Sequence, residues 1–267
     1  MDYKCIELKT ENHVATVGLN RVDALNAFSY QMATEIIAVF NELNENSDVW
    51  VIILKSNARM FSVGLDLKDA MARSGERTAK NMLNTPVHDK NMLECCNALE
   101  ECKKPIIAAV HNKCVGAGLD TIVACDFRLC TEDASFSLRE ARVGMVADMG
   151  VLQRLPFIVG QMYTRQMAYT GRFFSSAEAE KMGLVLAVYP DQDTMLAAAH
   201  KLASEIMESA PLAVQNTKEV LNYSRFVPIK EGMSMAAHKT MLLALSDDCT
   251  EAMMAFMEKR PPKFKAS

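Results

Sequence analysis

Short apolar runs bounded by turn-like residues recur along the first 190 residues of the chain. Runs of this length and composition are typical of β-strands. Residues 49–55 and 105–111 are almost continuously apolar, as expected for strands that are buried on both faces. The strands predicted in this way are residues 5–8, 13–19, 49–55, 105–111, 127–131, 135–138 and 184–189.

Segments with helical character separate these strands. Residues 29–46 place their apolar side chains at the spacing of one helix face, and residues 88–103 have the same character. Residues 150–160 also look helical. Pro156 is expected to break that helix, because proline lacks an N–H and crowds the preceding turn.

The order of these elements predicts two regions. Ser175 and Glu178 have the spacing of a capping box, and Gly183 fits the end of the short helix that they begin. After the last strand every segment is helical in character. Strands alternating with helices, followed only by helices, predict an α/β core at residues 1–190 and an all-helical C-terminal region at residues 191–267.

Composition excludes several classes of protein. The chain is 50% hydrophobic, and its 29 basic and 33 acidic residues give a net charge of −4. A disordered chain is therefore excluded, and a main role in binding polyanions is disfavoured. No apolar run approaches the roughly 20 residues needed to span a membrane, and no targeting segment is evident at either end. These features predict a soluble protein, without distinguishing a mitochondrial, peroxisomal or cytosolic location.

Cysteine and histidine spacing predicts neither disulfides nor a metal site. The eight cysteines are scattered, none forms a C-x-x-C pair, and no Cys/His cluster has the spacing of a zinc site. Buried thiols in a reducing compartment are the better interpretation. The C-terminal helices carry apolar residues such as Met233, Met241 and Leu242, which must be buried against the core or a neighbouring subunit. The second possibility predicts an oligomer.

Two glycine-containing loops, at residues 61–66 and 114–120, follow buried strands. Glycine allows backbone conformations closed to other residues and leaves main-chain N–H groups uncovered. Two such loops could direct two N–H groups at one oxygen, which is the arrangement of an oxyanion hole. A dinucleotide-binding fingerprint is disfavoured, because Thr121 stands where its third Gly or Ala is required.

Two carboxyls lie close together in sequence among apolar neighbours. Glu140 and Asp148 are flanked by leucine, valine and methionine residues. A carboxyl in apolar surroundings has a raised pKa and can exchange protons near neutral pH. The alternative is that both are ordinary surface or ion-paired acids, with Arg139 and Arg142 nearby in sequence. Spacing alone favours this alternative.

These pieces, in this order, resemble the crotonase, or enoyl-CoA hydratase/isomerase, superfamily over nearly the whole chain. The resemblance implies a spiral of ββα units followed by a helical trimerisation region, with trimers often paired into hexamers. It also implies an acyl-CoA thioester substrate, with no cofactor beyond the coenzyme A of the substrate itself. The matching stretches are residues 19–29, 61–67, 104–156, 177–185 and 255–264.

Within the superfamily, three acidic positions distinguish the chemistries. Hydratases resemble one another in having Glu, Glu and Gly at the positions of Asp120, Glu140 and Asp148. The Asp, Glu, Asp trio of this chain is similar to that of the Δ3,5-Δ2,4-dienoyl-CoA isomerases. The resemblance therefore implies an isomerase of fatty-acid β-oxidation that converts a 3,5-dienoyl-CoA into a 2,4-dienoyl-CoA.

The resemblance also assigns roles to these residues. Leu65 and Ala117 fall where the family has its two oxyanion N–H donors. Ala117 departs from the glycine often found there, but the donor is the backbone. Glu140 would remove a proton at C2 and Asp148 would return one at C6. Asp120 would order the pocket and raise the pKa of its neighbours by like-charge repulsion.

Further residues are predicted to bind the acyl-CoA. Two lie near the C-terminus and match a pair that contacts coenzyme A across a subunit boundary in the family. The others belong to the two glycine loops, although the side chain of Asp66 is also suited to cap the next helix. The predicted set is Ser62, Val63, Gly64, Asp66, Gly116, Phe256 and Lys259.

Two alternative functions stay open. An enoyl-CoA hydratase is the first, although Asp120 is one methylene shorter than the usual Glu and would misplace the attacking water. An RNA-binding crotonase relative is the second. Residues 68–80 form a mildly basic stretch with Lys68, Arg73 and Arg77, for which a solvated helix face is the simpler interpretation. Nucleic-acid binding is therefore expected to be absent.

Overall fold

The computed structural model describes residues 3–73 and 90–267. Its strands are β1 (Ile6–Glu11), β2 (Val14–Leu19), β3 (Val51–Ser56), β4 (Ile106–Val110), β5 (Lys113–Val115), β6 (Phe127–Thr131), β7 (Ser135–Ser137), β8 (Phe174–Ser175) and β9 (Ala187–Tyr189). Its α-helices are α1 (Tyr30–Glu45), α2 (Leu67–Arg73), α3 (Lys90–Glu101), α4 (Ala117–Val123), α5 (Val151–Thr170), α6 (Ser176–Lys181), α7 (Gln192–Met207), α8 (Pro211–Ser224), α9 (Ile229–Leu243) and α10 (Asp247–Glu258). Short 3₁₀ helices span Val22–Ala24 and Glu140–Val143.

A larger and a smaller sheet organise the chain. The larger sheet has the strand order β1-β2-β3-β4-β6-β9, and all its pairs are parallel except the β1-β2 hairpin. The smaller sheet has the order β5-β7-β8. An isolated bridge between Ser62 and Cys114 extends the smaller sheet toward the loop that follows β3.

The chain therefore winds as a spiral. The middle turns each add one strand to the larger sheet and one short strand to the smaller sheet before a helix follows, as β4, β5 and α4 do. This arrangement, followed by helices alone, confirms the fold class that the sequence predicts. It also brings the segments after β3 and after β5 next to each other.

Alternate residues of the central strands enter two separate cores. In β3, Ile52 and Leu54 pack with α1, α3 and the smaller sheet, whereas Val51 and Ile53 pack on the opposite face. That second face is covered by α7 through small and apolar side chains such as Ala199. Since strands buried on both faces require apolar residues at every position, the apolar runs are explained.

The structure corrects several details of the sequence prediction. The short strands β5 and β8 are additional, and the last strand spans only Ala187–Tyr189. Helix α5 continues to Thr170, and Pro156 lies inside it without ending it. The backbone departs from helical geometry at Gly160 instead, where φ is 75° and ψ is 166°. Glycine tolerates this conformation, so the kink forms there.

The predicted capping box is confirmed, and a second local contact caps the first helix. Ser29 caps α1 by accepting a hydrogen bond from the Met32 amide. Ser175 and Glu178 form the capping box of α6, in which each side chain accepts from the backbone of the other residue. Gly183 follows this helix with φ of 79°. These contacts join residues three apart, so the sequence alone determines them.

The C-terminal helices divide into two kinds. Helix α7 packs on the larger sheet, whereas α9 and α10 leave many apolar side chains exposed. The boundary between residues 190 and 191 stays a prediction. The exposed apolar side chains of these last two helices include Ile229, Met233, Met241, Leu242, Met253, Met254, Phe256 and Met257.

Other predictions concern thiols and partners. All eight cysteines are free, and seven of them are buried. Within residues 3–73 and 90–267, no helix has both the length and the apolar character needed to cross a bilayer. In the basic stretch 68–80, Lys68 lies in α2, while Arg77 and Lys80 lie outside the described residues.

Candidate active site

A cavity of about 630 Å³ opens beside the two glycine loops. One wall is apolar and is contributed largely by α3 and by the segment after the second 3₁₀ helix, with Leu67, Met92, Leu93, Val143, Met145, Val146 and Met149. The other wall collects most of the residues that the sequence singles out. Those that line it are Val63, Gly64, Leu65, Gly116, Ala117, Asp120, Glu140 and Asp148.

The two glycine loops touch each other. The Ser62 amide donates to the Lys113 carbonyl at 3.0 Å, and the Val115 amide donates to the Ser62 carbonyl at 3.1 Å. Gly118 makes this approach possible, because a Cβ there would lie only 2.7 Å from the Ser62 Cβ. The two loops therefore present their backbones to one region of the cavity.

Where the loops meet, two backbone N–H groups have no partner within residues 3–73 and 90–267. Phe28 bonds to the residues on either side of Leu65, accepting from the Asp66 amide and donating to the Gly64 carbonyl. The Leu65 N–H is thereby directed away from Phe28 and has no partner among the described residues. The Ala117 N–H begins α4, where no intrahelical acceptor exists. This pair can donate to a single oxygen in the cavity.

Buried polar groups hold the first loop in place. Asn26 is fully buried, and its side-chain amide donates to the Ser56 hydroxyl and the Phe61 carbonyl. The Ser62 hydroxyl donates to the Asn26 carbonyl at 2.7 Å and accepts from the Gly64 amide. The Ser62 side chain thus supports the loop and does not line the cavity. Sequence reasoning did not single out Asn26, because its partners lie about 30 positions away.

Asp66 turns away from the cavity as well. Its carboxylate accepts from the amides of Lys68 and Asp69, and it pairs with Arg21 at 3.0 Å. Backbone hydrogen bonds are the largest cause of its lowered pKa, and Arg21 adds to them. The helix-capping role that the sequence suggested for Asp66 is confirmed. A direct contact between this side chain and a ligand in the cavity has no support.

Glu140 is half-buried at the edge of the oxyanion loops. Its Oε1 lies 2.8 Å from the position that a Cβ would take on Gly116, so only glycine fits beside it. Its Oε2 is buried and has no hydrogen-bond partner among the described residues. Burial is the main cause that raises the pKa of this carboxyl, and the charge of Asp148 adds to it. An ionised Glu140 is therefore a stronger base than an exposed glutamate.

The two neighbouring arginines make other contacts. The Arg142 Nε donates to the Thr170 carbonyl at 2.7 Å. Arg139 lies over the ring of Phe173, 5.2 Å from its centroid. No ion pair joins Glu140 to either arginine within the described residues. The alternative that Glu140 is an ordinary ion-paired acid is thus removed.

Asp120 is the most buried of the three acids, with 2% of its surface exposed. Its Oδ1 accepts from the Val151 amide at 2.8 Å. Burial, assisted by the charges of Glu140 and Asp148, raises the pKa of Asp120 to about 8. The prediction that Asp120 raises the pKa of Glu140 is therefore not borne out. The charge of Glu140 raises the pKa of Asp120, whereas burial and the charge of Asp148 raise the pKa of Glu140.

Asp148 is exposed and lies in the turn before α5. It is close enough to influence the pKa of both other acids. Of the apolar residues around it in sequence, Val143 and Val146 are exposed and line the cavity wall, whereas its direct neighbours Ala147 and Met149 are buried. The three acids thus meet in one cavity, in three different degrees of burial.

Replacing Asp120 by asparagine tests its burial. In the folded wild type this carboxyl keeps its proton up to about pH 8, while the unfolded chain loses it near 3.8. The Asp120 carboxyl therefore makes a contribution to the wild-type free energy of unfolding that decreases as pH rises between these values. Asparagine does not ionise and can still accept from Val151. We expect the stability of the variant relative to wild type to increase by up to about 1.4 kcal/mol per pH unit.

Urea unfolding of both proteins at pH 5 and pH 7, at one protein concentration, measures this difference. The unfolding free energy of the variant minus that of wild type should be larger at pH 7 than at pH 5. An equal pH dependence in the two proteins would show that Asp120 ionises normally in the folded state.

Phe256 and Lys259 lie away from this cavity in the same chain. Phe256 is 85% exposed near the end of α10. Lys259 follows as the C-cap, with φ of 56°. Neither residue lines the cavity described above. Their contact with coenzyme A across a subunit boundary stays a prediction.

Asp126 and Arg128 do not form an ion pair with each other among the described residues. Asp126 pairs with the buried Lys218 at 2.7 Å and accepts from the Ile106 amide. Arg128 donates instead to the carbonyls of Leu184 and Cys125. Residues two apart in an extended segment face the same side, but helix α8 packs nearby and places the Lys218 ammonium against Asp126. Both contacts are structural and lie outside the cavity.

No group of three or more His, Cys, Asp or Glu side chains within the described residues is arranged to hold a metal ion. The acidic trio lines a partly apolar cavity and includes a neutral Asp120. Its geometry is suited to moving protons.

Comparison with known proteins agrees with this geometry. The family model described as enoyl-CoA hydratase/isomerase matches residues 9–267. The peroxisomal Δ3,5-Δ2,4-dienoyl-CoA isomerase of Arabidopsis thaliana is 38% identical over 98% of this chain and 97% of its own length. The mitochondrial enzyme of the same name from Homo sapiens is 35% identical over 95% of this chain and 79% of its own length.

Solved structures show the same fold. A putative enoyl-CoA hydratase from Streptomyces coelicolor A3(2) superposes with a TM-score of 0.91 at 28% identity, covering 100% of this chain and 96% of the other. An enoyl-CoA hydratase from Bacillus anthracis superposes with a TM-score of 0.89, also at 28% identity, covering 99% of this chain and 100% of the other. Because the family model covers nearly the whole chain and the Arabidopsis thaliana relative is 38% identical over 98% of it, this chain belongs to the enoyl-CoA hydratase/isomerase family.

Proposed function

We propose that this protein is a dienoyl-CoA isomerase, which converts a 3,5-dienoyl-CoA into the conjugated 2,4-dienoyl-CoA. The observation that carries the proposal is the meeting of Asp120, Glu140 and Asp148 with two free backbone N–H groups in one cavity. Relatives named as isomerases of this kind are 34–38% identical over most of the chain. An acidic residue at position 148 is the feature that separates this chemistry from simple hydration.

The first step is removal of a proton from C2 of the thioester. This proton is too weakly acidic for a free carboxylate, so the negative charge must be stabilised on the thioester oxygen. The N–H groups of Leu65 and Ala117 donate to that oxygen, and one such donor is worth about 10²- to 10³-fold in kcat. Glu140, which lies against Gly116 and has a raised pKa, accepts the proton.

The second step is delivery of a proton to C6. The electron pair released at C2 spreads through the 3,5-diene, which places negative charge on C6. Asp148 donates its proton there, and the double bonds then lie at C2 and C4. Solvent afterwards takes up the proton that Glu140 accepted and replaces the one that Asp148 gave. One proton is removed and one is returned, and no electrons are gained or lost. The reaction therefore needs no cofactor beyond the coenzyme A of the substrate.

Asp120 serves this pair without exchanging protons itself. It is neutral near pH 7, and it accepts from the Val151 amide at the start of α5. Because its carboxyl is neutral, Asp120 adds no negative charge to the cavity that Glu140 and Asp148 share. We therefore assign Asp120 to ordering the site, with Glu140 and Asp148 as the proton-transferring residues.

The wild-type protein tests the proposal with two substrates. With 3,5-octadienoyl-CoA we expect the ultraviolet absorbance of a conjugated 2,4-dienoyl thioester to appear. With 2-octenoyl-CoA we expect much slower hydration, since Asp120 is shorter than the glutamate of hydratases. Rapid hydration of 2-octenoyl-CoA without any dienoyl product would overturn the proposal and identify a hydratase.

We also propose that the protein is a trimer, or a dimer of trimers. The apolar side chains exposed on α9 and α10 support this, because contiguous exposed apolar surface marks interfaces. A neighbouring subunit would bring Phe256 and Lys259 to the coenzyme A of an adjacent cavity. Sedimentation equilibrium should give three or six times the chain mass of 29.6 kDa. A monomer at micromolar concentration would contradict the assignment.

A further inference from the structure

A buried arginine lies behind the turn that carries Asp148. Arg154 is one turn into α5, and its side chain is only 8% exposed. The turn before this helix, from Asp148 to Val151, supplies two parts of the candidate site. It carries the Asp148 carboxyl, and its Val151 amide donates to Asp120.

The guanidinium of Arg154 is packed directly on that turn. A Cβ added to Gly150 would overlap the Arg154 Nη1, so the guanidinium fills the space where a side chain would be. Gly150 has φ of 104°, a conformation that glycine adopts readily. Nη1 also approaches the Met149 carbonyl at 3.4 Å. The backbone between Asp148 and Val151 therefore rests against this one side chain.

Helix α3 holds Arg154 in place. The Glu100 carboxylate accepts from Arg154 Nε at 3.0 Å and from Nη2 at 2.8 Å. The side-chain oxygen Oδ1 of Asn97 accepts from Nη2 at 2.7 Å. The other oxygen of Glu100 accepts from Arg225, at the end of α8, at 2.6 Å. A planar guanidinium with several fixed hydrogen bonds has little freedom to move.

These contacts connect the C-terminal half of α3 to the turn that carries Asp148 and the Val151 amide. Glu140 and the oxyanion amides belong to other segments and make no hydrogen bond with Arg154 among the described residues. Loss of Arg154 should therefore affect the two proton transfers unequally.

We propose that Arg154, held by Glu100 and Asn97, is a positioning residue for the second proton transfer. It fixes the turn from Asp148 to Val151 so that the Asp148 carboxyl reaches C6 of the substrate. This assignment rests on the proposed isomerase function. We therefore expect that loss of Arg154 leaves the rate of proton removal at C2 nearly unchanged and slows proton delivery at C6.

Deuterium exchange separates the two transfers. In D₂O, Glu140 exchanges its proton with solvent, so reversal of the first step places deuterium at C2 of recovered 3,5-octadienoyl-CoA. For Arg154→Met we expect 2,4-dienoyl product to form about 10- to 100-fold more slowly, the effect of an ångström-scale displacement. Deuterium uptake at C2 of recovered substrate should stay within about 3-fold of wild type, since the groups assigned to the first step are untouched.

Matched variants accompany this measurement. Arg165→Met removes an exposed arginine from the same helix and should leave both rates unchanged. Arg154→Lys keeps the charge without the planar fork and should restore part of the product formation. Should Arg154→Met fail to fold, Glu100→Gln removes the charge that holds Arg154. It should show the same selective loss to a smaller extent.

The outcomes distinguish the two proposals. A wild type that forms no 2,4-dienoyl product overturns the isomerase function and this assignment with it. An active wild type whose Arg154 variants lose both rates by the same factor would show that Arg154 only stabilises the fold. Variants with unchanged product formation would overturn the positioning role directly.

Discussion

Glu140→Gln is expected to lower kcat for 3,5-octadienoyl-CoA by about 10²- to 10⁴-fold, the range for loss of a general base. Glutamine has the same size and fits beside Gly116, but it cannot accept a proton from C2. Deuterium uptake at C2 should fall together with product formation, because both follow the same first step. The absorbance assay and the exchange measurement are made on the same samples.

The pH dependence of the wild type checks the same residue. The base must be ionised, so kcat/KM should fall as pH drops through the pKa of Glu140. Burial raises this pKa, and the acidic limb should therefore lie above that of an ordinary glutamate. An acidic limb at or below the usual glutamate range would contradict the burial described for Glu140.

Glu132→Gln is a suitable control, because Glu132 is exposed and does not line the cavity. It should leave kcat, KM and the melting temperature unchanged. If Glu140→Gln retained more than about a tenth of wild-type kcat, a loss smaller than general-base removal produces, Glu140 would not be the base.

Asp148→Asn is expected to have the second large effect on product formation, but with a different effect on deuterium uptake at C2. We expect product formation to fall by about 10²- to 10⁴-fold, because the acid that protonates C6 is absent. Proton removal by Glu140 remains possible, so deuterium should still enter C2 of the recovered substrate. This pattern is the extreme form of the one expected for Arg154→Met, in which the acid is present but displaced.

Asp193→Asn supplies the matched control, since Asp193 is exposed in the first turn of α7. Its dienoyl-CoA kinetics should equal those of wild type. Wild-type rates of isomerisation by Asp148→Asn would contradict a mechanism that uses two acids. A single carboxyl would then have to serve both C2 and C6.

Much of the fold can be predicted from neighbouring residues. The capping box of Ser175 and Glu178 and the cap of α1 at Ser29 are contacts between residues three apart. The buried strands follow from continuous apolar runs, whose only stable place is between two packed layers. The errors occurred where geometry competes with a local rule. Pro156 is accommodated inside α5, and Gly160 takes the kink instead.

Many residues of the candidate site were predicted from the sequence, but the contacts between them were not. The oxyanion loops and the acids at positions 120, 140 and 148 were identified from motifs. Motifs did not show that the Ser62 side chain supports its loop from inside, or that Asp66 serves only as a cap and an ion-pair partner. They also missed Asn26, whose hydrogen bonds reach across about 30 positions of the chain.

By itself, the sequence determined the order of strands and helices, the family and the chemical groups that are available to the site. Tertiary structure alone decided which of those groups are buried and which charges meet. Asp120 owes its pKa of about 8 to packing around it, and Arg154 meets Glu100 across 54 positions. The physical reason is that these properties depend on residues at different separations along the chain. Backbone conformation responds to residues a few positions away, whereas desolvation and charge interactions depend on distances that exist only after the chain has folded.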